Sequence, residues 1–131
     1  MFRAEKLKQT GIGPCHHSYI LALCREPGIS QDQLAKNICI NKSNVTRHLA
    51  ALEDGGYVER RPSTDDKRVM LVYPTQKAMD VLPTVRAVIK EWNEYLTEGM
   101  DEEELERFAK TLSVIAERAR KYADERENIQ A

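Results

Sequence analysis

The 131-residue chain is long enough for one domain with a single core, and its 41% hydrophobic and 31% charged residues are typical of a globular protein. No apolar run approaches the roughly 18 residues of a membrane span, and the N-terminus lacks the apolar core of a signal peptide, so we expect a cytoplasmic protein with no membrane partner. The net charge is −1, but residues 1–75 carry 11 basic and 8 acidic side chains whereas residues 76–131 carry 9 and 13, so a polyanion would favour the first part.

The first predicted helix begins at Pro14, a residue type that favours the first turn of a helix, and Pro27-Gly28 ends it. Between them the run 19–24 is apolar on every side, which predicts a helix buried between two layers. A second helix is predicted to begin at Ser30, because Gln33 stands three residues later in the spacing of a capping box.

A short turn leads from the second helix to a third, for which Asn41 is a good N-cap and Gly55-Gly56 is a stop signal. Its apolar side chains fall on one side, and its small, polar and basic side chains fall on the other. The first set is Val45, Leu49 and Leu52; the second is Ser43, Asn44, Arg47 and Ala51, with Thr46 beside it. This division suits a helix that packs on a core and lies in a groove.

Two strand-like runs follow, 57–61 and 69–73, and the second alternates with period two. The connection between them is polar and rich in turn residues, and it ends in Lys67 and Arg68. These features predict a hairpin with an extended, basic tip.

The rest of the chain predicts two long helices, the first over about 76–100 and the second over about 101–122. Pro83 should kink or break the first, and Asp101 with Glu104 forms a second capping box. Both helices carry apolar residues at alternating spacings of three and four, as in coiled-coil seams. The first seam is Ala78, Leu82, Val85, Ile89, Trp92 and Leu96, and the second is Leu105, Phe108, Leu112, Ile115, Ala119 and Tyr122.

The order helix, turn, helix and basic hairpin is that of a winged helix-turn-helix, and particular segments resemble the MarR family of regulators (multiple antibiotic resistance regulators). The segments are 28–35 (GISQDQLA), 41–49 (NKSNVTRHL), 52–60 (LEDGGYVER), 66–68 (DKR) and 75–77 (TQK). The resemblance runs from about residue 14 to the end. Two departures are Ala78, where the family usually has Gly, and the dozen residues before Pro14, where relatives have a long first helix.

The resemblance implies a mainly α fold with a small β-hairpin wing and long C-terminal dimerisation helices. We expect a single domain in which residues 14–75 form the DNA-binding part, and residues 76–125 with the short segment 1–13 form the dimerisation part. The homodimer interface would include Leu105, Phe108, Leu112, Ile115 and Ala119 of the second long helix.

The expected function is sequence-specific binding of a pseudo-palindromic double-stranded DNA operator, as a repressor that a small molecule releases. Asn44 and Arg47 could reach base edges in the major groove, and Ser43 or Thr46 the phosphates. By resemblance, Arg68 would enter the minor groove and Asp66 would hold its guanidinium. The complete predicted DNA-binding set is Lys42, Ser43, Asn44, Thr46, Arg47, Asp66, Lys67 and Arg68.

A small aromatic effector is expected between the first helix of the winged part and the long helices, next to His16, Tyr19, Trp92 and Tyr95. We expect no cofactor and no metal site, because the adjacent His16 and His17 point about 100° apart on a helix and cannot chelate one ion together. The only other histidine, His48, is on the predicted third helix.

Three alternatives remain. Cys15, beside two histidines near a helix start, could make the chain a thiol-based redox sensor. Cys24 and Cys39 are expected to be small core residues. Three cysteines without C-x-x-C spacing argue against a disulfide framework or a zinc ribbon. The chain could instead be a winged-helix module for protein contacts, although such a face would expose aromatic or leucine side chains. No catalytic motif indicates an enzyme.

Overall fold

The computed structural model describes residues 2–13 and 15–130, so the predicted helix start at Pro14 lies outside the described residues. The chain divides into two compact units, one extending to Trp92 and the other starting at Asn93. The first unit contains nearly all of the elements: α1 (Phe2–Leu7), a 3-10 turn (Lys8–Thr10), α2 (His17–Arg25), β1 (Ile29–Ser30), α3 (Gln31–Ile38), α4 (Lys42–Asp54), β2 (Val58–Pro62), β3 (Met70–Pro74) and most of α5 (Gln76–Leu96). The second unit holds the end of α5 and α6 (Glu102–Gln130).

The segment before α2 is short but contributes to the core. Leu7 at the end of α1 is fully buried, and Ile12 is nearly so. Gly11 turns the chain between them at φ 75°, in the left-handed region that favours glycine. The phenolic hydroxyl of Tyr57 donates to the carbonyl oxygen of Thr10, which ties this segment to the start of the wing.

Helices α2, α3 and α4 form the predicted helix-turn-helix unit. The side chain of Ser30 accepts a hydrogen bond from the Gln33 N–H at 3.1 Å, as the capping-box spacing predicts, and the Gln33 side-chain amide donates to the Asn37 side-chain oxygen at 2.9 Å. Helix α2 is not buried on every side as its apolar run predicted: Tyr19, Ile20 and Leu23 are buried, whereas its other apolar side chains are only partly covered.

The turn between α3 and α4 explains why the expectation for Cys39 is wrong. This residue is exposed, and its φ of 57° places it in the left-handed conformation that often ends a helix. Its N–H donates back to the last turn of α3, so the position serves to reverse the chain and points its side chain away from the core. Cys24 is partly buried against the core, closer to expectation.

The sheet has three strands in the order β1-β3-β2, all antiparallel, where the sequence predicted only a hairpin. The hairpin strands begin and end one residue later than predicted. Val58 and Val72 are buried on the side of the sheet that faces the helices. The additional strand, β1, is two residues long and pairs Ile29 with Val72 of β3.

Helix α5 runs without a break through Pro83, so the predicted break is wrong. Ala78, Val85 and Val88 are its buried residues. The ammonium of Lys77 in α5 donates to the carbonyl oxygen of Gly55, the residue directly after α4, at 2.7 Å. This bond satisfies an acceptor at the end of α4.

Helix α6 begins at Glu102, next to the predicted cap Asp101, and extends eight residues beyond the predicted end at Tyr122. No residue from Glu102 to Gln130 is buried. None of the described helices is both long and apolar enough to span a bilayer.

Candidate nucleic-acid interface

The outer face of α4 is the first part of the candidate interface. The predicted inward residues Val45, Leu49 and Leu52 are buried, and the opposite face is exposed or half-buried. Asn41 caps the helix as predicted, since its side-chain oxygen accepts from the Asn44 N–H at 2.9 Å. The sequence pattern therefore orients this helix correctly, because the apolar and polar faces are separated by the helical period.

Ser43 and Thr46, the two hydroxyl side chains predicted to contact phosphates, form hydrogen bonds at the start of α4. The Ser43 hydroxyl donates to the side-chain oxygen of Asn41 at 2.9 Å, and the Thr46 hydroxyl donates to the Lys42 carbonyl oxygen at 3.0 Å. The Lys42 ammonium lies 3.4 Å from a carboxylate oxygen of Asp32 in α3, and both side chains are largely exposed. These groups line one end of α4, where hydroxyls and an ammonium can meet a phosphate.

The predicted base-reading pair is also in contact. One terminal nitrogen of Arg47 donates to the side-chain oxygen of Asn44 at 3.1 Å. Arg47 is exposed and Asn44 is half-buried, so the amide holds a guanidinium that solvent can reach.

The wing is the second part of the candidate interface. Its residues Asp66 and Arg68 form a bidentate ion pair. The guanidinium donates from Nε to Oδ1 and from Nη2 to Oδ2, both at 3.1 Å, and the Arg68 backbone N–H donates to Oδ1 at 3.0 Å. These bonds from Arg68 lower the pKa of the Asp66 carboxyl. The Arg68 side chain is nevertheless 91% exposed, and Lys67 beside it is exposed as well.

The structure also contains a hydrogen-bond network at the base of the wing that the sequence did not predict. Arg60 of β2 donates three hydrogen bonds to Glu53 near the end of α4, one of them from its backbone N–H, and it also reaches the side-chain oxygen of Gln31 in α3 at 3.4 Å. Gln31 in turn donates to the Thr46 hydroxyl at 3.4 Å. The hydrogen bonds from Arg60 lower the pKa of Glu53. The network joins the wing to α3 and α4, and no sequence spacing signals it, because it depends on how β2 folds back along α4.

A cluster of three rings lies at the junction of α2 and α4. Nε2 of His16 is 3.1 Å from Nδ1 of His48, and the Tyr19 ring lies 5.5 Å from the His48 ring and 6.3 Å from the His16 ring, between centroids. Burial, and secondarily the neighbouring His48, lowers the pKa of His16. Burial is also the main reason that the pKa of Tyr19 is raised, with Cys15 adding to the effect and Arg47 opposing it.

The cluster holds two of the four residues predicted to bind an effector, His16 and Tyr19. Trp92 is half-buried at the end of the first unit, and Tyr95 is exposed in the second unit. His48 was missed as a site residue because it lies 32 residues from His16.

The predicted dimerisation residues lie on α6 in the second unit. Phe108, Leu112 and Ile115 are 65%, 51% and 58% exposed, Ala119 is exposed and Leu105 is half-buried. They form an apolar seam along a helix whose other side chains are mostly charged.

Comparison with known proteins agrees with this geometry. Residues 16–70, which contain the helix-turn-helix and most of the wing, match the model of the MarR family. Residues 16–70 therefore carry the winged helix-turn-helix of the MarR family. An uncharacterised HTH-type transcriptional regulator of Bacillus subtilis, YybA, is 29% identical over 103 residues, which are 79% of this chain and 66% of the relative. The chain thus matches slightly less than two thirds of that relative's length.

Solved structures share the fold. A MarR transcriptional regulator from Methanosarcina mazei Go1 is 28% identical with a TM-score of 0.86, over 92% of this chain and 87% of that one. A MarR-family regulator from Listeria monocytogenes, solved with a 26mer DNA, is 20% identical with a TM-score of 0.84, over 91% and 79%. CouR from Rhodococcus jostii RHA1, solved with p-coumaroyl-CoA, is 22% identical with a TM-score of 0.76, over 87% and 80%.

Proposed function

We propose that this chain is a MarR-family transcriptional regulator that binds a specific double-stranded DNA operator. The observation that carries the proposal is the wing arginine: the guanidinium of Arg68 is held by two bonds to Asp66 while almost the whole side chain faces solvent. A guanidinium oriented in advance loses little entropy on binding, and the negative potential of a narrow minor groove attracts it. The Listeria monocytogenes relative with the same fold was solved with DNA.

In this proposal, α4 enters the major groove. An α-helix fits this groove, and the exposed face of α4 carries hydroxyl, amide and guanidinium groups with no bulky apolar side chain. Arg47, supported by Asn44, would read base edges, while Lys42, Ser43 and Thr46 would contact phosphates. The charge of the first part of the chain, 11 basic against 8 acidic side chains over residues 1–75, favours such a partner.

We further propose that the active form is a homodimer whose interface includes the apolar seam of α6: Leu105, Phe108, Leu112, Ile115 and Ala119. A seam of large, exposed apolar side chains on a helix with no buried residue supports this proposal, since such a surface is rarely left in water. A two-fold dimer would present two copies of α4 to successive major grooves about 34 Å apart, and its operator would be pseudo-palindromic.

The finer proposal is that the dimer is a cytoplasmic repressor, released from DNA by a small aromatic effector that contacts His16 and Tyr19. The partly buried imidazole of His16 beside the Tyr19 ring offers the mixture of apolar surface and polar groups that small-molecule sites use. The related fold of CouR was solved with an aromatic acyl-CoA. An effector would act by binding the dimer state that does not fit DNA more tightly than the state that does.

Selection of bound sequences from a random DNA library tests the function. We expect an enriched pseudo-palindrome with half-sites one helical turn apart, bound far more tightly than a scrambled duplex of the same length. Binding that is weak, equal for all sequences and abolished by moderate salt would contradict the proposal, because it would reflect charge alone.

A further inference from the structure

The ring cluster contains two imidazole nitrogens that face each other from separate elements. His16 directly precedes α2, His48 is in the middle of α4, and their Nε2 and Nδ1 atoms are 3.1 Å apart. The ring centroids are 5.2 Å apart with the planes at 81°. Because one nitrogen can donate to the other only if it carries the proton, the contact requires a particular pair of tautomers.

We propose that His16 and His48 form a binding site for one divalent transition-metal ion of the Zn²⁺, Ni²⁺ or Cu²⁺ type, which joins the start of α2 to α4. This site goes beyond the proposed function, and it replaces the expectation of no metal site, which was based on His16 and His17 in the sequence. It can be tested on the free protein. Neutral imidazole is the nitrogen ligand that these ions prefer.

The separation of the two nitrogens fits a chelate. With metal–nitrogen bonds of about 2.05 Å, two nitrogens 3.1 Å apart subtend an angle of about 100° at the ion, between the ideal octahedral and tetrahedral values. In a linear hydrogen bond the lone pair points along the line between the nitrogens, so each ring must turn by about 40° for both lone pairs to face one ion. The proton now between the rings moves to the far nitrogen of its own ring, so both ligands are neutral and no net charge is lost from the protein.

The surroundings decide what else would hold the ion. Among residues 2–13 and 15–130, no group of three or more His, Cys, Asp and Glu side chains could hold a metal, so water must complete the coordination. His16 and His48 are only partly buried, which leaves room for solvent ligands. Tyr19, the third ring of the cluster, has a buried hydroxyl without a hydrogen-bond partner in the described part of the chain.

The test uses tag-free protein, because a polyhistidine tag would bind the same ions. Thermal unfolding is measured with ZnCl₂, NiCl₂ or CuCl₂ at increasing concentration, and with MgCl₂ as the ion that avoids nitrogen ligands. We expect Tm to rise by several degrees with at least one transition ion once its concentration exceeds Kd about tenfold, and to be unchanged by Mg²⁺. The EPR spectrum of one equivalent of Cu²⁺ should show hyperfine coupling to two equatorial imidazole nitrogens.

Three variants localise the site. His16→Gln and His48→Gln should each weaken binding at least tenfold and leave one or no coupled nitrogen, whereas His17→Gln, which removes the adjacent imidazole, should bind as the wild type does. No transition ion bound at millimolar concentration, or binding that survives His48→Gln, would overturn the proposal. So would binding that is lost in Cys15→Ser and kept in His16→Gln, because a thiol would then be the ligand. The wild-type EPR spectrum counts the nitrogens even if one variant fails to fold.

Discussion

The two compact units contrast in how they use the same kind of apolar pattern. In the first unit, the apolar residues of α4 and α5 meet partners within the unit, and Val45, Leu49 and Val85 are almost completely buried. In the second unit, α6 carries an equally regular seam, and none of its residues is buried. A periodic apolar face thus predicts that a helix packs against something, but it does not say whether the partner lies in the same chain. We propose that the seam of α6 is covered by a second copy.

Placing charge in the seam tests the contrast most severely. Leu112→Asp combined with Ile115→Asp would bury two unpaired carboxylates in the proposed interface and should cost several kcal/mol of association free energy. We expect light scattering to show a dimer for the wild type and a monomer for the variant at micromolar concentration, with the helical circular dichroism of the first unit retained.

The matched control is Lys110→Ala with Lys121→Ala, which also changes the net charge by −2 but on the opposite side of α6. It should remain dimeric. A monomeric wild-type chain, or equal effects of the two double variants, would show that the seam does not form the interface.

Truncating one leucine in each unit distinguishes burial inside the first unit from burial in the proposed dimer interface. Leu49→Ala empties a fully buried position and should lower the free energy of unfolding by about 3 kcal/mol, whatever the protein concentration. Leu112→Ala should lower stability less in dilute solution, and its effect should grow with protein concentration as the dimer becomes populated. Denaturant unfolding at two concentrations a hundredfold apart measures both; a loss for Leu49→Ala that depends on concentration would contradict this assignment.

The wing tests whether the first unit carries the DNA contacts. Arg68→Ala should weaken binding of a selected operator about tenfold, which is about 1.4 kcal/mol, and reduce the salt slope of log K by about 1. Fluorescence anisotropy at several salt concentrations gives both values. Arg25→Ala, which removes an exposed arginine at the end of α2, is the control and should bind like the wild type. If Arg68→Ala bound the operator with unchanged affinity, the wing would not be part of the DNA interface.

The smallest expected effect belongs to the ion pair at the wing base. The pKa of Glu53 is lowered in the folded state by Arg60, so the pair stabilises the fold at pH values above the ordinary glutamate pKa and loses this contribution as the pH falls through the lowered value. Both side chains are partly exposed, so we expect less than about 1 kcal/mol. The stability difference between wild type and Glu53→Gln should therefore be present at pH 7 and shrink near pH 3; a difference that grows in acid would have the wrong sign.

Local signals were sufficient for much of the fold. The caps at Ser30 and Asn41, the stop at Gly55-Gly56 and the alternation in the hairpin all depend on residues within one or two turns of each other, and the structure has helices and strands within a residue or two of those positions. The inward face of α4 follows for the same reason, because the helical period alone separates Val45 and Leu49 from Arg47.

Contacts between distant segments were decided only by the tertiary structure. Strand β1 is too short to carry a period of its own and exists because Ile29 pairs with Val72. Arg60 finds Glu53 and Gln31 only after β2 has folded along α4. His16 and His48 are 32 residues apart, and neither spacing nor composition marks them as neighbours until α2 and α4 pack together. Side-chain periodicity indicates which face of a helix or strand avoids water. The partner that covers this face depends on the tertiary fold, and so do the polar groups that meet at its edge.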